Sequence, residues 1–509
     1  MEHTVDTQSR QTDIIREEED PDSYPFLIRD FKLSREIPML MTLACTQLFV
    51  LGCLSQGIFP DSVIGQTFTI SSSSERTWGS AAYGLTSGTF MLPAGRFGDM
   101  YGHRRCYIAA WTWLAVASLL AGVSVFSNSF IFYSVCRGLQ GMGTSMLLPS
   151  ALAILGSVYK DGPRKNLAFS LFAAGAPTGF TVWGIISGAI AESSWWPWIF
   201  WVTAIACGSL ACVGFLTIPQ LPGEIYRATI SQQQEIPVDK SPRHDFDWAG
   251  TATGISGLVL FNVAWNQAPT VGWAAPSSLA TLIIGFLLLL AFPFVEKRAS
   301  RPLIPVDRLS KDSAFVLATM GLAWSSFGVL VFYLVNFLTR LRGESILITA
   351  VQFIPVPIAG FAASYLNTFL LGRRVPPADV LAFSCIWFMV GNLLLATMPV
   401  HQSFWYQVFW VNVLAPFGID LSFPASTLLM SRLVPPEQQG IAASLIATVV
   451  YYSQSIGLGI ASTVKSQISN GSVLRGYRAA FFTGVGMSGL ALLVSMWPVV
   501  KIHVLKKSL

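Results

Sequence analysis

Long apolar runs separated by short polar turns fill the chain from Ile37 onward. A bilayer-spanning helix needs roughly 20 mostly apolar residues, because the hydrocarbon layer is about 30 Å thick and each helical residue rises about 1.5 Å. The pattern predicts fourteen spans: Ile37–Gly57, Trp78–Ala94, Cys106–Phe126, Phe130–Gly156, Asn166–Ile190, Trp196–Ile218, Trp248–Asn266, Ser278–Val295, Ser313–Leu338, Ser345–Leu371, Val380–Val400, Phe404–Met430, Gly440–Val464 and Ala479–Val500. The expectation is an all-α, polytopic membrane protein.

The polar spacers divide these spans unevenly. A tail, 1–36, carries Glu17-Glu18-Glu19-Asp20 and has no basic n-region or cleavage site, so it reads as cytoplasmic and not as a signal peptide. Six spans follow over 37–218, and the longest polar segment, 219–247, separates them from a pair over 248–295. Six more occupy 313–500, leaving a short tail, 501–509. A faint echo links the halves: Asn166-Leu167-Ala168-Phe169-Ser170-Leu171 opens the fifth span and Gly440-Ile441-Ala442-Ala443-Ser444-Leu445 the thirteenth. Repeated halves around a central site are the plan of secondary transporters.

Composition narrows the function. Hydrophobic residues make up 52% of the 509 and charged residues 12%, which excludes soluble multidomain enzymes, coiled coils and disordered scaffolds. The net charge of +5 includes no basic block suited to nucleic acid. With both termini inside, the inward segments hold 25 of the 32 Lys and Arg and the outward loops six, as the positive-inside rule requires. Asn470-Gly471-Ser472 is a glycosylation sequon in an outward loop, with Asn470 the acceptor. The seven cysteines lie in apolar stretches without a CxxC pair and read as reduced packing residues, so no metal is expected. No span has a mid-membrane histidine, and no paired acid, HExxH, P-loop or nucleotide fingerprint appears, so neither catalytic residues nor a cofactor is expected.

Several motifs carry candidate chemistry. Between the second and third spans runs Gly95-Arg96-Phe97-Gly98-Asp99-Met100-Tyr101-Gly102-His103-Arg104-Arg105. Its glycines allow a tight turn, and Asp99 is placed to meet backbone N–H groups or to pair with Arg96, Arg104 or Arg105. The bland reading is an ordinary basic loop; the spacing G-x-x-x-D-x-x-G-x-[RK]-[RK] is more specific than that. Two charges lie well inside spans, Arg137 and Asp420. Burying either costs about 2.5–3.5 kcal/mol on insertion scales, so each needs a partner or a protein-lined cavity. Arg137 reads as a snorkelling or hydrogen-bonded arginine, or as a fixed charge that tunes a nearby proton or substrate site. Asp420 sits among Pro416, Gly418 and Pro424, which predict an interrupted helix. There it is a candidate proton carrier, or an aspartate bonded to broken backbone. Their depths, about 10 Å and about 24 Å from the outer ends, argue against a direct pair.

The fifth span offers Gly175, Pro177, Gly179 and Gly184 as a packing seam with a kink, compatible with a hinge. Tyr451, Tyr452 and Gln454 in the thirteenth, with Gln140 in the fourth, are candidates to line a substrate cavity. Trp195, Trp196, Trp198 and Trp201 read as an interfacial belt.

These phrases carry a resemblance. The loop 95–105, Leu85-Thr86-Ser87-Gly88-Thr89-Phe90, Ala176-Pro177-Thr178-Gly179-Phe180, Phe261–Pro269, Gly418–Pro424 and Gln439–Leu445 resemble the fourteen-helix drug:proton antiporter branch of the major facilitator superfamily. Within it, the fungal aminotriazole-resistance and boron-efflux type is the most similar. The resemblance implies two six-helix bundles plus an inserted helix pair, and a latch role for loop 95–105. It also implies a proton-coupled exporter of a small toxic molecule in the plasma membrane, with the vacuolar membrane as the alternative. Its partners would be cargo, protons and lipid, with the chain acting as a monomer. Two departures stand out on the fifth span, where Phe180 replaces a proline and Trp183 a glycine of the usual antiporter signature. The carboxylate common in the first span of relatives is missing; Asp61 lies just outside it. An importer or facilitator on the same fold is the main rival. A non-transporting receptor is the other.

Overall fold

The computed structural model describes residues 33–70, 72–159, 163–219, 246–299, 302–304, 306–434, 439–468 and 472–504. The tail 1–32, nearly all of the loop 219–247, Asn470 and the last five residues lie outside the described residues, so the readings placed on them are not addressed by it.

Helices account for nearly all of what is described, with no strand among the described residues. The first group comprises α1 (Leu33–Ile58), the short α2 (Asp61–Thr67) and α3 (Ser73–Arg76), α4 (Trp78–Thr89), α5 (Met91–Tyr101), α6 (His103–Val123), α7 (Phe130–Val158), α8 (Pro163–Ser193) and α9 (Trp198–Thr217). An antiparallel pair follows, α10 (Trp248–Val271) and α11 (Pro276–Glu296). The last group is α12 (Lys311–Asn336), α13 (Ile346–Val351), α14 (Pro355–Gly372), α15 (Pro377–Ala396), α16 (Gln407–Arg432), α17 (Gln439–Ile468) and α18 (Val473–His503).

Among the described residues, twelve helical stretches are long and apolar enough to cross a bilayer. Two expected spans fall outside that set. Residues 78–101 form two helices meeting at Phe90, where Pro93 denies Thr89 the N–H that would close the next turn. Trp248–Val271 is one continuous helix, but it carries the buried polar residues Asn262 and Asn266. The expected span Ser345–Leu371 bends between α13 and α14, just before Pro355. One expectation is overturned: α16 runs unbroken from Gln407 to Arg432 through Pro416 and Pro424. Each proline removes one backbone bond, and packing against α14 and α15 holds the remaining turns.

Packing divides the molecule along one seam. α1 lies against α8, α4 against α7, and α6 between α7 and α9. In the last group α15 packs on α16 and α18, and α12 on α17 and α18. The groups meet where α4 and α5 lie along α17, and where α8 meets α13 and α14. The inserted α10 rests on α11, on α17 and on α4, so it touches both sides of the seam. α11 shows much of its apolar surface, including Ile283, Phe286, Leu287 and Leu290, as expected of a lipid-facing helix.

The tryptophan belt is only partly as expected. Trp195 and Trp198 are exposed, but Trp196 is 2% exposed. It packs with Phe68, Tyr133 and Phe200, and its Nε1 donates to Thr67 Oγ1 at 3.1 Å.

Candidate functional site

Small residues let the seam close. On α8, a methyl group at Gly175 would sit 2.8 Å from the Ala44 carbonyl oxygen, and one at Gly179 2.1 Å from that of Leu48, so α8 presses directly on α1. At Gly184 the neighbour is the Phe59 ring, 2.6 Å away. At Gly188 it is the backbone of Leu347 on α13. The two departures from the antiporter signature belong to this closed region. Phe180 contacts Phe59 and, across the seam, Phe353, with ring centroids 5.6 and 5.7 Å apart. Trp183 fills the space left by Gly52 of α1. Beside them Thr181 Oγ1 donates to the Phe353 carbonyl at 3.2 Å.

Asp420 stands at the same seam, deeper along α16. It is partly buried, and among the described residues no hydrogen bond or ion pair is found on its carboxylate. A methyl group at Gly360 of α14 would lie 3.0 Å from Asp420 Oδ2 and 3.1 Å from the Pro177 ring of α8. Pro177 of one half and the carboxylate of the other therefore face each other across a glycine. Pro424 also leaves the Asp420 carbonyl without its helical donor. Nearby, Asn412 Nδ2 donates to the Gln352 carbonyl at 2.8 Å, covering one free group where α13 turns into α14.

Arg137 is elsewhere and otherwise engaged. It is fully buried, and its guanidinium donates to the Gly79 carbonyl at 2.8 Å, the Cys53 carbonyl at 2.5 Å and Gln140 Oε1 at 2.5 Å. The rings of Tyr83 and Phe200 lie 5.1 and 5.7 Å from it. Gln140 passes the chain on to Ser118 Oγ at 2.8 Å. The pair thus ties α1, α4, α6 and α7 together within one half. Backbone carbonyls satisfy the arginine there, which removes the need for a carboxylate partner.

The other candidate cavity residues separate. Gln454 lines a narrow void at the seam with Leu54, Ile58, Phe327 and Phe332, its volume ≈ 10 Å³, room for about one water. Tyr451 is buried against Gly84 of α4. Tyr452 points to α10, where its hydroxyl donates to the Leu258 carbonyl at 2.8 Å.

The loop 95–105 is the C-terminal part of α5, Gly102 with φ +97°, and the start of α7's neighbour α6. Asp99 is largely exposed and meets His103 Nε2 at 3.2 Å. Arg104 caps α9, donating to the carbonyls of Ile218 at 2.7 Å and Phe215 at 2.8 Å. Arg105 is exposed. Arg96 reaches out of its own half, donating to the Pro302 carbonyl at 3.0 Å. Phe97 stacks on Phe246, centroids 4.9 Å apart, just before α10. Gly95 lies 3.5 Å, at its would-be side chain, from Ser444 Oγ of α17.

Sequence reasoning missed two polar groupings. On α10, Asn266 Nδ2 donates to Asn262 Oδ1 at 2.8 Å and to the Ser455 carbonyl at 3.3 Å. Ser455 Oγ in turn bonds Asn262 Oδ1 and the Ala81 carbonyl, both at 2.9 Å, so α4, α10 and α17 share one buried node. Two amides four residues apart on an apolar helix were the available signal. The second grouping surrounds Asp61, whose Oδ2 lies 2.8 Å from Arg340 of the other half. Burial pushes its carboxyl up to about 7, with Arg340 and Lys465 pulling the other way.

Comparison with known proteins agrees with this geometry. Residues 41–373 match the family model of the Major Facilitator Superfamily. The chain is 44% identical over 455 residues to a low affinity ammonium transporter of Saccharomyces cerevisiae, covering 89% of this chain and 86% of that one. It is 39% identical over 472 residues to the efflux pump terJ of Aspergillus terreus, with 92% and 89% covered. The aminotriazole resistance protein of Saccharomyces cerevisiae is 32% identical over 466 residues, with 88% and 83% covered. Among solved structures, the nucleoside transporter NupG (D323A mutant) superposes with TM-score 0.60 at 12% identity, covering 90% of this chain and 99% of that one. The chain is therefore a multi-pass membrane transporter, not an enzyme, and belongs to the Major Facilitator Superfamily, where it groups with the drug-efflux branch.

Proposed function

We propose that this transporter exports a small toxic compound, a drug or a fungal secondary metabolite or toxin, in exchange for protons. In this reading it acts as a monomer in the plasma membrane, with both termini cytoplasmic and the Asp61 face outward. The observation that carries the coupling is Asp420: a partly buried carboxylate without a described polar partner, facing Gly360 and the Pro177 ring where the halves meet. A group so placed changes surroundings whenever the halves rock, and its protonation favours one arrangement over the other. Arg137, held by carbonyls of its own half, is then a structural tie. The efflux direction is supported by the names of relatives, among them the pump terJ.

Inverted membrane vesicles test this with aminotriazole as probe. Wild type should concentrate it when the lumen is acidified, and Asp420→Asn should lose that accumulation while keeping downhill exchange. Accumulation by the asparagine variant equal to wild type would make Asp420 structural. A second reading, uptake of ammonium or a similar small solute, is favoured by the ammonium transporter among the relatives. Accumulation of methylammonium in right-side-out vesicles, without aminotriazole export, would establish it instead.

A further inference from the structure

The inserted pair closes on two acids that the export reading leaves unused. Asp247 caps α10, its Oδ1 accepting from the Gly250 N–H at 2.7 Å. Glu296, 2% exposed, ends α11, and its Oε2 accepts from the Ile304 N–H at 3.0 Å. The other two oxygens, Asp247 Oδ2 and Glu296 Oε1, are buried and have no hydrogen-bond partner among the described residues. They converge: a methyl group at Gly250 would overlap both at once, and the two side chains stand within hydrogen-bond reach of each other. Among the described residues no basic side chain pairs with either acid. Arg96 of α5 is turned to the Pro302 carbonyl, and Asp99 meets His103. Tyr101 stacks on Phe97. Lys297 pairs with Asp307 at 3.0 Å, both more than half exposed, and Arg298 is exposed.

Ionised carboxylates only accept hydrogen bonds, so two of them cannot satisfy each other, and buried like charges resist joint ionisation. The backbone N–H groups of Gly250 and Ile304 favour charge, but they reach the outer oxygens and leave the facing pair bare. One proton answers both needs. An O–H between the facing oxygens donates to the second acid and leaves a single negative charge, which the N-terminus of α10 favours. The two acids then titrate as a unit.

We propose that Asp247 and Glu296 hold one shared proton and form a clasp on which α5 docks. Phe97 of α5 stacks on Phe246, the residue before Asp247, with centroids 4.9 Å apart. Arg96 of α5 bonds the Pro302 carbonyl, two residues before the Ile304 N–H that Glu296 holds. The shared proton therefore keeps both docking points of α5 together. Its loss sets two carboxylates against each other, parts the start of α10 from residues 302–304, and frees α5 from one or both contacts. The clasp is whole in acid and is lost as pH rises through the titration of the pair.

Infrared spectroscopy of cargo-free protein in lipid nanodiscs detects the proton directly. At neutral pH, wild type should show a protonated-carboxyl absorption that Glu296→Gln lacks. That absorption should vanish only well above the value of about 4 at which an ordinary carboxyl titrates. Spin labels at Ala109 of α6 and Ala252 of α10, both exposed, follow the docking, with the exposed Cys212 replaced by Ser. The label distance should be short in acid and lengthen as the absorption disappears. Glu296→Gln should keep it short between about pH 5 and about pH 9, because its amide donates to Asp247 and still accepts from Ile304. Asp247→Asn, which keeps a capping oxygen and removes one charge, should do the same, and Glu296→Ala should lengthen it throughout. Wild-type and Glu296→Gln spectra that match in the carboxyl region overturn the proposal, as does a Glu296→Gln distance that still follows pH. So does a wild-type distance that answers to added potassium or sodium and not to pH, which marks a metal-cation site. The readouts use no cargo and leave Asp420 unchanged, so they stand apart from the proposed export.

Discussion

Gly52 and Trp183 form a matched pair: a methyl group at residue 52 would lie 2.1 Å from the indole Cδ1 of Trp183. Trp183 stands where the usual antiporter signature has a small residue, and α1 makes room for it with Gly52, which carries no side chain. Phe49 completes the pocket, its ring centroid 5.1 Å from the indole.

Gly52→Ala should therefore destabilise the protein by about 1–3 kcal/mol through overpacking. Trp183→Ala should do so by about 3–5 kcal/mol through the cavity it leaves. Because the two side chains compete for one space, the double variant should be more stable than the sum of the single effects predicts. Thermal unfolding of the purified proteins measures this, and strict additivity would show that the contact is relieved by backbone movement.

Arg137→Lys should lower stability despite keeping the charge. An ammonium cannot reproduce the guanidinium's simultaneous reach to the Gly79 and Cys53 carbonyls and Gln140. Each charge-assisted bond to a carbonyl that the ammonium fails to make is worth about 1.5–3 kcal/mol. The loss should appear as a lower melting temperature, with proton dependence of transport unchanged in whatever protein remains folded. A shifted pH profile at native stability would return Arg137 to a role in coupling.

Much of the fold was legible because lipid enforces it. Backbone in hydrocarbon must close its own hydrogen bonds, so apolar length alone located most helices. Small residues such as Gly175 and Gly179 announced the α8 seam by their spacing. The prolines of α16 misled, since Pro416 and Pro424 each remove one bond, and whether a helix survives that depends on neighbours the local sequence does not show. For Arg137 the hydrogen-bonded reading was one of the two open, but its partners could not be named from sequence: they are main-chain carbonyls at residues 53 and 79, groups every residue carries, and the neighbouring Gln140. The Asp61–Arg340 pair joins positions 279 residues apart, and no local pattern signals it.

The loop 95–105 gives the last prediction, because the structure redistributes its roles. Asp99 is the motif's acid and the natural candidate for a latch, yet its described ion pair is with His103, four residues on beyond the Gly102 turn, with the carboxylate itself largely exposed. Exposed pairs of that kind contribute about 0.2–1 kcal/mol. Arg96 instead spans 206 residues of sequence to the Pro302 carbonyl, and the neighbouring Phe97 stacks on Phe246 beside the inserted pair. A charged donor to a carbonyl is worth about 1.5–3 kcal/mol, and here it exists only in the arrangement that brings residues 96 and 302 together. Arg96→Gln should shift the balance of arrangements by more than about tenfold and slow transport accordingly. Asp99→Asn should slow it by no more than about fivefold on the same scale. Transport in vesicles, normalised to the amount of protein inserted, decides between them. If Asp99→Asn is the more damaging change, the acid engages a partner in the other transport state, and the latch lies there and not in the Arg96–Pro302 contact.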